Sequence, residues 1–407
     1  MLEKNDKILF DLIQKEAHRQ DTEIELIASE NYTSRDVMEA AGSILTNKYS
    51  EWYPWKRYYA WQEYIDQIEN LAIDRCKELF WAEYVNVQPL SWSPANLAVY
   101  LAALKPGDKV LGLSLDQWWH LSHGHPLNFS GLLYEIIPYT IDRETWLIDM
   151  DEVERLAIEN KPNMIIAGFS AYSRNLDWKR FREIADKVWA ILMADIAHIA
   201  GLIAWGVLEN PVPYCDIVTS TTHKTLRGPR WAIIISKEKF WPSVFPWVQW
   251  WPHEHLIAAK AVAFAEALKP DFKEYAKQVV KNAQMLASEL IKNGFKIVSN
   301  GTDNHLMLID VFWSFWVTWK EAEKALELVW LSTNKNMIPY DTRKALDPSG
   351  IRIWTPAATT RWMKEDEMKI IANIFTEAIK NKDDEKILLN LKNEVLNLCN
   401  KFPIYKN

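Results

Sequence analysis

One lysine lies in a predicted turn between two apolar stretches of the chain. Lys224 belongs to the segment T-S-T-T-H-K-T-L-R-G-P-R (219–230), and the apolar run 231–236 follows it, a pattern that predicts strand, turn and strand. Hydroxyl groups and His223 flank the lysine. A partly desolvated position of this kind lowers the pKa of an amine and allows it to form a Schiff base. A solvated lysine at a strand end fits this segment equally well.

An acidic residue follows another apolar stretch. Residues 189–194 predict a strand that ends at Asp195, and His198 stands three residues later. Ligands of open α/β sheets bind beyond the carboxyl ends of strands, and an aspartate there can keep the ring nitrogen of pyridoxal 5′-phosphate (PLP) protonated. The D-x-x-H pair alone would also allow a metal site. Combined with the segment around Lys224, it predicts a PLP site with His223 beside the lysine and no metal.

A helix N-terminus is predicted at Ser91-Trp92-Ser93-Pro94. Proline is favoured in the first helical turn, and Ser93 is a good N-cap residue. Because helix N-termini bind anions, we predict that Ser93 and the backbone amide of residue 92 hold the phosphate group of the cofactor.

The elements around these residues alternate between apolar runs and amphipathic stretches. Strands are predicted over 84–87, 110–115 and 164–168, and helices over 64–80 and 179–188. Such alternation is typical of an α/β fold with a parallel, doubly wound sheet.

Length and composition limit the class of protein. With 407 residues two domains are expected, and we predict an N-terminal arm over 1–50, a large PLP-binding domain over 51–275 and a smaller C-terminal α/β domain over 276–407. The net charge of −7 argues against nucleic acid and membrane surfaces as partners. Three widely spaced cysteines and a polar N-terminus without a signal peptide predict a cytoplasmic protein.

Several longer motifs resemble the serine hydroxymethyltransferase family. Besides the Lys224 segment they are I-E-L-I-A-S-E-N-Y (24–32), L-T-N-K-Y-S-E (45–51), K-R-Y-Y (56–59), D-I-A-H-I-A-G-L-I-A (195–204), T-D-N-H-L (302–306) and S-G-I-R (349–352). The resemblance implies a PLP-dependent, aminotransferase-like enzyme of fold type I that acts in one-carbon metabolism and amino-acid biosynthesis. The implied reaction converts serine and tetrahydrofolate reversibly to glycine and 5,10-methylenetetrahydrofolate, in a homodimer whose subunits share active sites.

The same resemblance implies a role for each matched residue. The implied catalytic residues are Lys224, Glu51, His120, Asp195, His198 and Tyr59. The implied cofactor contacts are Ser91, Trp92, Ser93, His120, Ser170, Asp195, His198, His223, Lys224, Tyr49, Trp250 and Trp251. The implied substrate contacts are Ser29, Glu51, Tyr59, Arg230 and Arg352, and the implied folate contacts are Leu115, Trp119, His120, Leu121 and Asn336. Tyr49, Glu51, Tyr59 and the 250–251 pair are expected to reach the active site of the partner subunit.

The chain departs from the family in the outer part of the implied site. Leu90 and Gln117 stand where histidines are usual, Pro94 replaces a glutamine, and Lys344-Ala345-Leu346 replaces the S-P-F of a folate-facing loop. The altered loop at Lys344–Leu346 favours one alternative, a PLP-dependent aldolase that cleaves β-hydroxy amino acids without folate.

Tryptophan is abundant and glycine is scarce. The chain has 22 Trp and 12 Gly, less than half of the usual glycine share of about 7%. Tryptophans stand in predicted turns, as at Trp52, Trp55, Trp250 and Trp251, where the resembled family carries glycine. Only Trp178 stands where a tryptophan is usual.

The cost of these tryptophans suggests how they arose. Overpacking, or a bulky residue in a turn that requires positive φ, costs about 1–3 kcal/mol, and a domain has about 5–15 kcal/mol of stability in total. We hypothesise that UGA codons specify glycine in the source organism and are rendered here as tryptophan. If the tryptophans are genuine, the alternative is an inactive scaffold with a blocked pocket.

Overall fold

The chain folds into two compact units. The computed structural model describes residues 2–117, 122–239, 241–344 and 346–405. The smaller unit comprises Met1–Tyr32 and Gln278–Asn407, and the larger unit comprises Thr33–Lys277. The predicted arm over 1–50 is therefore divided between the two units, and the boundary after residue 277 lies close to the one predicted after 275.

Helices and strands alternate along most of the chain. In chain order the strands are β1 Ile24–Glu25, β2 Tyr84–Asn86, β3 Lys109–Leu113, β4 Glu135–Tyr139, β5 Met164–Gly168, β6 Ile191–Asp195, β7 Ile217–Thr221, β8 Ala232–Ser236, β9 Lys296–Ile297, β10 Leu306–Asp310, β11 Leu331–Ser332, β12 Asn334–Asn336 and β13 Gly350–Trp354. The α-helices are α1 Leu2–Asn5, α2 Lys7–Thr22, α3 Arg35–Ala41, α4 Glu63–Phe80, α5 Trp92–Ala103, α6 Phe129–Leu133, α7 Met150–Asn160, α8 Trp178–Val188, α9 Ala200–Ile203, α10 Trp241–Val244, α11 Glu254–Ala267, α12 Pro270–Lys292, α13 Phe312–Phe315, α14 Trp319–Leu328, α15 Pro356–Thr360, α16 Glu365–Lys380 and α17 Glu385–Lys401. Single 3₁₀ turns cover Ile44–Asn47, Leu115–Gln117 and Val298–Asn300.

The larger unit is built on a seven-stranded sheet in the order β2-β8-β7-β6-β5-β3-β4. The pairs from β7 to β4 are parallel, while β8 pairs antiparallel with both β7 and β2. Every residue of β5, β7 and β8 is buried, as is typical of strands covered on both faces. The strand, turn and strand predicted around Lys224 are β7, the loop 222–231 and β8.

Helix α5 begins earlier than the sequence predicts. Its first residue is Trp92 and its N-cap residue is Ser91, whose side chain makes no capping hydrogen bond. The prediction of Ser93 as the N-cap is therefore wrong, because the extended backbone ends at Ser91 (φ −170°, ψ 179°). Ser93 and Pro94 lie in the first helical turn, where proline costs no hydrogen bond.

The smaller unit has its own sheet and core. Strands β12, β13, β10 and β9 form an antiparallel sheet in that order, and β1 pairs parallel with β11. The core of this unit packs apolar residues of α12, α14, α16 and α17 against β10 and β13. None of the helices in the described part of the chain is both long and apolar enough to cross a membrane.

Candidate active site

Three neighbouring strands bring candidate residues to one edge of the large sheet. Asp195, the last residue of β6, lies opposite Gly168 at the end of β5 and opposite Thr219 in β7. Ser170 follows β5 by two residues, and Lys224 follows β7 by three. Because β5, β6 and β7 are parallel, the loops that carry these residues leave the sheet at the same edge.

The carboxylate of Asp195 is buried and accepts hydrogen bonds at both oxygens. Its Oδ2 atom accepts from the indole Nε1 of Trp92 at 2.6 Å and from Nδ2 of Asn96 at 3.2 Å. The imidazole Nε2 of His123 lies 2.8 Å from the same oxygen. Oδ1 accepts from the backbone amide of Ala197 at 3.1 Å. Hydrogen bonds to an ionised acceptor are stronger than neutral ones, so this network fixes the carboxylate in place.

Asn96 and His123 contact the carboxylate of Asp195, and neither residue was predicted from the sequence. Asn96 accepts from Thr219 Oγ1 at 2.8 Å and donates to Ser122 Oγ at 3.0 Å. A carboxylate can only accept, so Nε2 of His123 carries the proton that faces Asp195. Nδ1 of His123 lies 3.1 Å from the Tyr100 hydroxyl.

The amine of Lys224 lies over the face of the Trp92 indole. Lys224 is 1% exposed, and its Nζ atom lies 3.4 Å from the centroid of the Trp92 ring, a cation–π contact. The His198 ring meets the same indole edge-on, with the ring centroids 6.0 Å apart. The structure therefore gathers Asp195, His198 and Lys224 around the side chain of Trp92.

Close backbone packing fixes the loop that carries Lys224. Thr225 Oγ1 donates to the carbonyl of His198 at 3.0 Å and accepts from the amide of Gly201 at 2.9 Å. A Cβ atom at Gly201 would lie 2.2 Å from the carbonyl oxygen of Thr225, so only glycine permits this approach. The loop therefore holds Lys224 in a defined position beside the segment that follows Asp195.

His223 and Arg230 flank the lysine in different surroundings. Burial, together with the neighbouring charges of Lys224 and Arg230, lowers the pKa of His223 to about 3. His223 is therefore neutral at physiological pH and adds no positive charge beside the lysine. The side chain of Arg230 is exposed in the larger unit, just before β8.

Five of the residues expected at the partner subunit's active site form a second group, which we call the Glu51 cluster: Tyr49, Glu51, Tyr59, Trp250 and Trp251. Glu51 is buried, and its Oε1 accepts from Trp250 Nε1 at 2.7 Å and from the Tyr49 hydroxyl at 3.2 Å. The ring of Tyr49 contacts Tyr59 and Trp251 at centroid distances of 5.4 and 5.1 Å. The cluster thus surrounds one carboxylate with two phenols and two indoles.

Gln249 ties the loop of the Glu51 cluster to the segment before α5. Its Nε2 donates to the carbonyl of Gln88 at 2.7 Å, and its Oε1 accepts from the amide of Leu90 at 3.0 Å. Leu90 therefore contributes through its backbone, and its departure from the family histidine leaves this contact intact.

The smaller unit brings Ser29 and Arg352 close together. Arg352, in β13, donates through Nη2 to the carbonyl of Ala28 at 3.2 Å. Burial lowers the pKa of Arg352 to about 10, so the guanidinium remains a cation at neutral pH. Asn336 lies in β12, opposite Gly350 of β13.

The predicted folate contacts are described only in part. Trp119, His120 and Leu121 lie outside the described residues, and so does the predicted stacking role of His120. Leu115 is half-buried in a 3₁₀ turn. Gln117, in the same turn, is buried and accepts from the amide of Ile141 at 2.7 Å, so it has a structural use in place of the family histidine.

The larger unit combines a mostly parallel seven-stranded sheet with an aspartate at the end of β6 and a lysine in the loop after β7. This combination defines a class of protein, the PLP-dependent enzymes of fold type I. Comparison with protein families supplies the particular member of that class. The family described as serine hydroxymethyltransferase matches residues 2–375, and the chain therefore belongs to the serine hydroxymethyltransferase family. Its function is the PLP-dependent one-carbon transfer that interconverts serine and glycine with tetrahydrofolate. The predictions of family, fold class and reaction are confirmed.

The residues around Trp92 fit PLP, while Trp92 itself does not. Asp195 is placed to accept from a ring N–H, and Lys224 supplies a buried amine beside the same ring. The indole of Trp92 now occupies the space between them, as a flat heteroaromatic ring with its N–H on the aspartate. Its contacting atoms stand in for those of a protonated pyridine ring, and the two rings cannot share that space.

Proposed function

We propose that Asp195 and Lys224 hold PLP between them during the conversion of serine and tetrahydrofolate to glycine and 5,10-methylenetetrahydrofolate. The observation that supports this assignment is the geometry around the indole of Trp92. Asp195 binds the N–H of that flat ring at 2.6 Å, and the Lys224 amine lies 3.4 Å from its centre.

Each of several residues in the larger unit is assigned a separate role in binding the cofactor. PLP supplies an electron-accepting ring when it is bound. Asp195 would hold the proton at the ring nitrogen, and Asn96 and His123 keep that carboxylate oriented. Lys224 would hold the cofactor through its buried amine, while the N-terminus of α5 with Ser91 and Ser93 would receive the phosphate. In the same proposal, Ser170, His198 and His223 line the site.

The amino-acid substrate is assigned to charged and phenolic residues. Arg352 and Ser29 bind the substrate carboxylate, since a guanidinium can bind it with two parallel hydrogen bonds. Glu51 moves the proton at the substrate hydroxyl group. Partial desolvation and the Glu51 carboxylate raise the pKa of Tyr49, so its hydroxyl stays protonated and donates to Glu51. Tyr59 and Arg230 complete this proposed set.

Tetrahydrofolate is assigned as co-substrate on the basis of family membership. The proposed contacts are Leu115, Trp119, His120, Leu121 and Asn336. No contact of the described residues favours the folate-independent aldolase.

The role of Lys224 is tested by substitution in a chain that carries glycine at position 92. Lys224→Ala is expected to lower the rate of glycine formation from serine and tetrahydrofolate by on the order of 10³-fold, or about 4 kcal/mol of activation free energy, because the variant lacks the amine that holds the cofactor. Lys237→Ala, which changes an exposed lysine of the larger unit, serves as the matched control and should leave the rate unchanged. A Lys224→Ala protein with the control's rate and the same PLP absorbance would refute this role.

We further propose a cytoplasmic homodimer in which the Glu51 cluster serves the partner subunit's site. In support, the cluster exposes two large aromatic side chains: Tyr49 is 42% exposed and Tyr59 is 45% exposed, and exposed aromatic patches usually mark an interaction surface. The cytoplasmic assignment is supported by the three free, buried cysteines, which suit a reducing compartment.

Shared sites predict complementation between two inactive variants that both carry glycine at position 92. Co-expressed Glu51→Gln and Lys224→Ala subunits are expected to recover about a quarter of the parental activity, because half of the dimers are mixed and each holds one intact site. The control pair, Asp195→Ala with Lys224→Ala, changes both residues of one subunit's own site and should recover none. Equal activity of the two pairs would show that Glu51 serves its own subunit.

A further inference from the structure

We infer that the polypeptide made by the cell carries glycine at position 92 and at nine positions where tryptophan adopts a left-handed backbone. Among the described residues, fifteen other than glycine have positive φ, and nine of these are tryptophan. The nine are Trp52, Trp55, Trp61, Trp81, Trp146, Trp189, Trp316, Trp330 and Trp362, with φ between 53° and 71°.

Left-handed backbone is unfavourable for a residue as large as tryptophan. Its Cβ atom crowds the following carbonyl oxygen, which costs about 1–2 kcal/mol per residue, whereas glycine adopts this conformation freely. Nine such positions together cost on the order of 10 kcal/mol, comparable to the whole stability of an ordinary domain. Selection for stability would therefore not maintain tryptophan at these places.

Three of these nine side chains gain little in return. Trp61 is 93% exposed, Trp189 is 94% exposed, and Trp81 is 72% exposed. An exposed indole buries almost no apolar surface, so the hydrophobic effect cannot offset the backbone strain. The conformation of the chain is thus set by its neighbours, and the indole is tolerated rather than used.

Three of the nine tryptophans end helices in the way that glycine normally does. Trp81 follows α4, Trp189 follows α8 and Trp316 follows α13, each in left-handed conformation. The amide of Trp81 donates to the carbonyl of Lys77, and that of Trp189 donates to the carbonyl of Ala185. A left-handed residue whose amide bonds back to the last turn is the common glycine ending of helices.

Position 92 gives an independent reason to infer glycine, and this reason rests on the proposed function. Trp92 lies in helical conformation at the start of α5, so its backbone is not strained. Its indole instead fills the space between Asp195 and Lys224 that the cofactor needs. Glycine there would vacate that space and leave the backbone amide at the helix N-terminus open to a phosphate.

The strained turns and the filled cofactor site have a single cause if all of these tryptophans correspond to the same codon, UGA. UGA differs by one base from the tryptophan codon UGG and by one base from the glycine codon GGA. A cell that decodes UGA as glycine would make a chain with glycine wherever UGA occurs. Independent mutations would not place tryptophan preferentially at positions that require glycine.

Trp178 supplies the matched control, because it has none of these features. It is the first residue of α8, follows the N-cap Asp177, and is 2% exposed within the core of the larger unit. A buried indole of this kind contributes to packing. We therefore expect a genuine tryptophan, encoded by UGG, at position 178.

The test is peptide mass spectrometry of the protein purified from its source organism, together with the codons of its gene. Peptides that cover positions 81, 92 and 189 are expected to have the masses of glycine peptides, and the peptide that covers position 178 should contain tryptophan. The codons should be UGA at the first three positions and UGG at 178. Tryptophan at 81, 92 or 189 overturns the inference.

The outcome is separable from that of the proposed function. Peptide masses do not depend on cofactor or activity, and the same purified protein can be scanned for the absorbance of bound PLP. Glycine at all three positions without bound PLP, even after PLP is added, would support the inference and refute the proposed cofactor site. Bound PLP with tryptophan at position 92 would refute the inference and its account of the filled site.

Discussion

Replacement of Trp92 by glycine is expected to raise the affinity of the recombinant chain for PLP by at least about 100-fold, which corresponds to about 3 kcal/mol of binding free energy. The indole of Trp92 bonds to Asp195 at 2.6 Å and lies under the Lys224 amine at 3.4 Å. In the parent chain PLP must displace this ring and its hydrogen bond before it can reach either residue. In Trp92→Gly both residues are available without that cost.

Equilibrium titration with PLP, followed by absorbance of the bound cofactor, measures this difference without reference to catalysis. Trp189→Gly is the matched control, since it removes an exposed indole from the same unit and should leave PLP affinity at the parental value. Trp92→Gly combined with Asp195→Ala should lose most of the gained affinity. An unchanged affinity in Trp92→Gly would show that the indole does not compete with the cofactor.

The order of the chemical groups along the chain was predictable because it depends on strand ends. Asp195 and Lys224 each follow an apolar run, and parallel strands bring such positions to one edge of a sheet. The alternation of apolar and amphipathic stretches also predicted the α/β class. These inferences need only local patterns and the rules of sheet topology, and the register of β6 with β7 places Asp195 opposite Thr219 accordingly.

The partners of Asp195 were not predictable in the same way. His123 lies in a loop between β3 and α6 and reaches Asp195 only through tertiary folding. Asn96 offered a signal, since it stands one helical turn after residue 92 on α5 and so shares its face. The N-cap of α5 was misplaced at Ser93 because a serine before proline is a good cap in sequence, while the path of the backbone after β2 decides the start of the helix.

The sequence identified an excess of tryptophan but could not separate its effects. Composition alone treats Trp92, Trp178 and Trp189 alike. The structure distinguishes an indole between the residues of the proposed cofactor site, an indole that packs in a core and an indole in water on strained backbone. Only the first blocks chemistry, only the third costs stability without return, and the second is ordinary. A single substitution at position 92 is therefore sufficient to test function, whereas stability requires changes elsewhere.

Glycine at the strained, exposed positions is expected to stabilise the larger unit. Trp61, Trp81 and Trp189 have φ of 59°, 53° and 59°. Relief of this strain gains about 1–2 kcal/mol per position, while the greater freedom of glycine in the unfolded chain costs about 0.5–1 kcal/mol. The triple variant should therefore gain about 2 kcal/mol, an increase that raises the urea midpoint of unfolding.

Trp178→Gly is the control for this prediction, because its free energy of unfolding is expected to change in the opposite direction. The same exchange at a buried helical position removes core packing, leaves a cavity and is expected to lower the free energy of unfolding by about 3–5 kcal/mol. If the loss of an indole were destabilising everywhere, the triple variant and Trp178→Gly would both unfold at lower urea, and backbone strain at residues 61, 81 and 189 would be excluded as a cost. Opposite shifts of the two midpoints, measured on the Trp92→Gly background without PLP, would show that backbone conformation rather than indole content decides the effect.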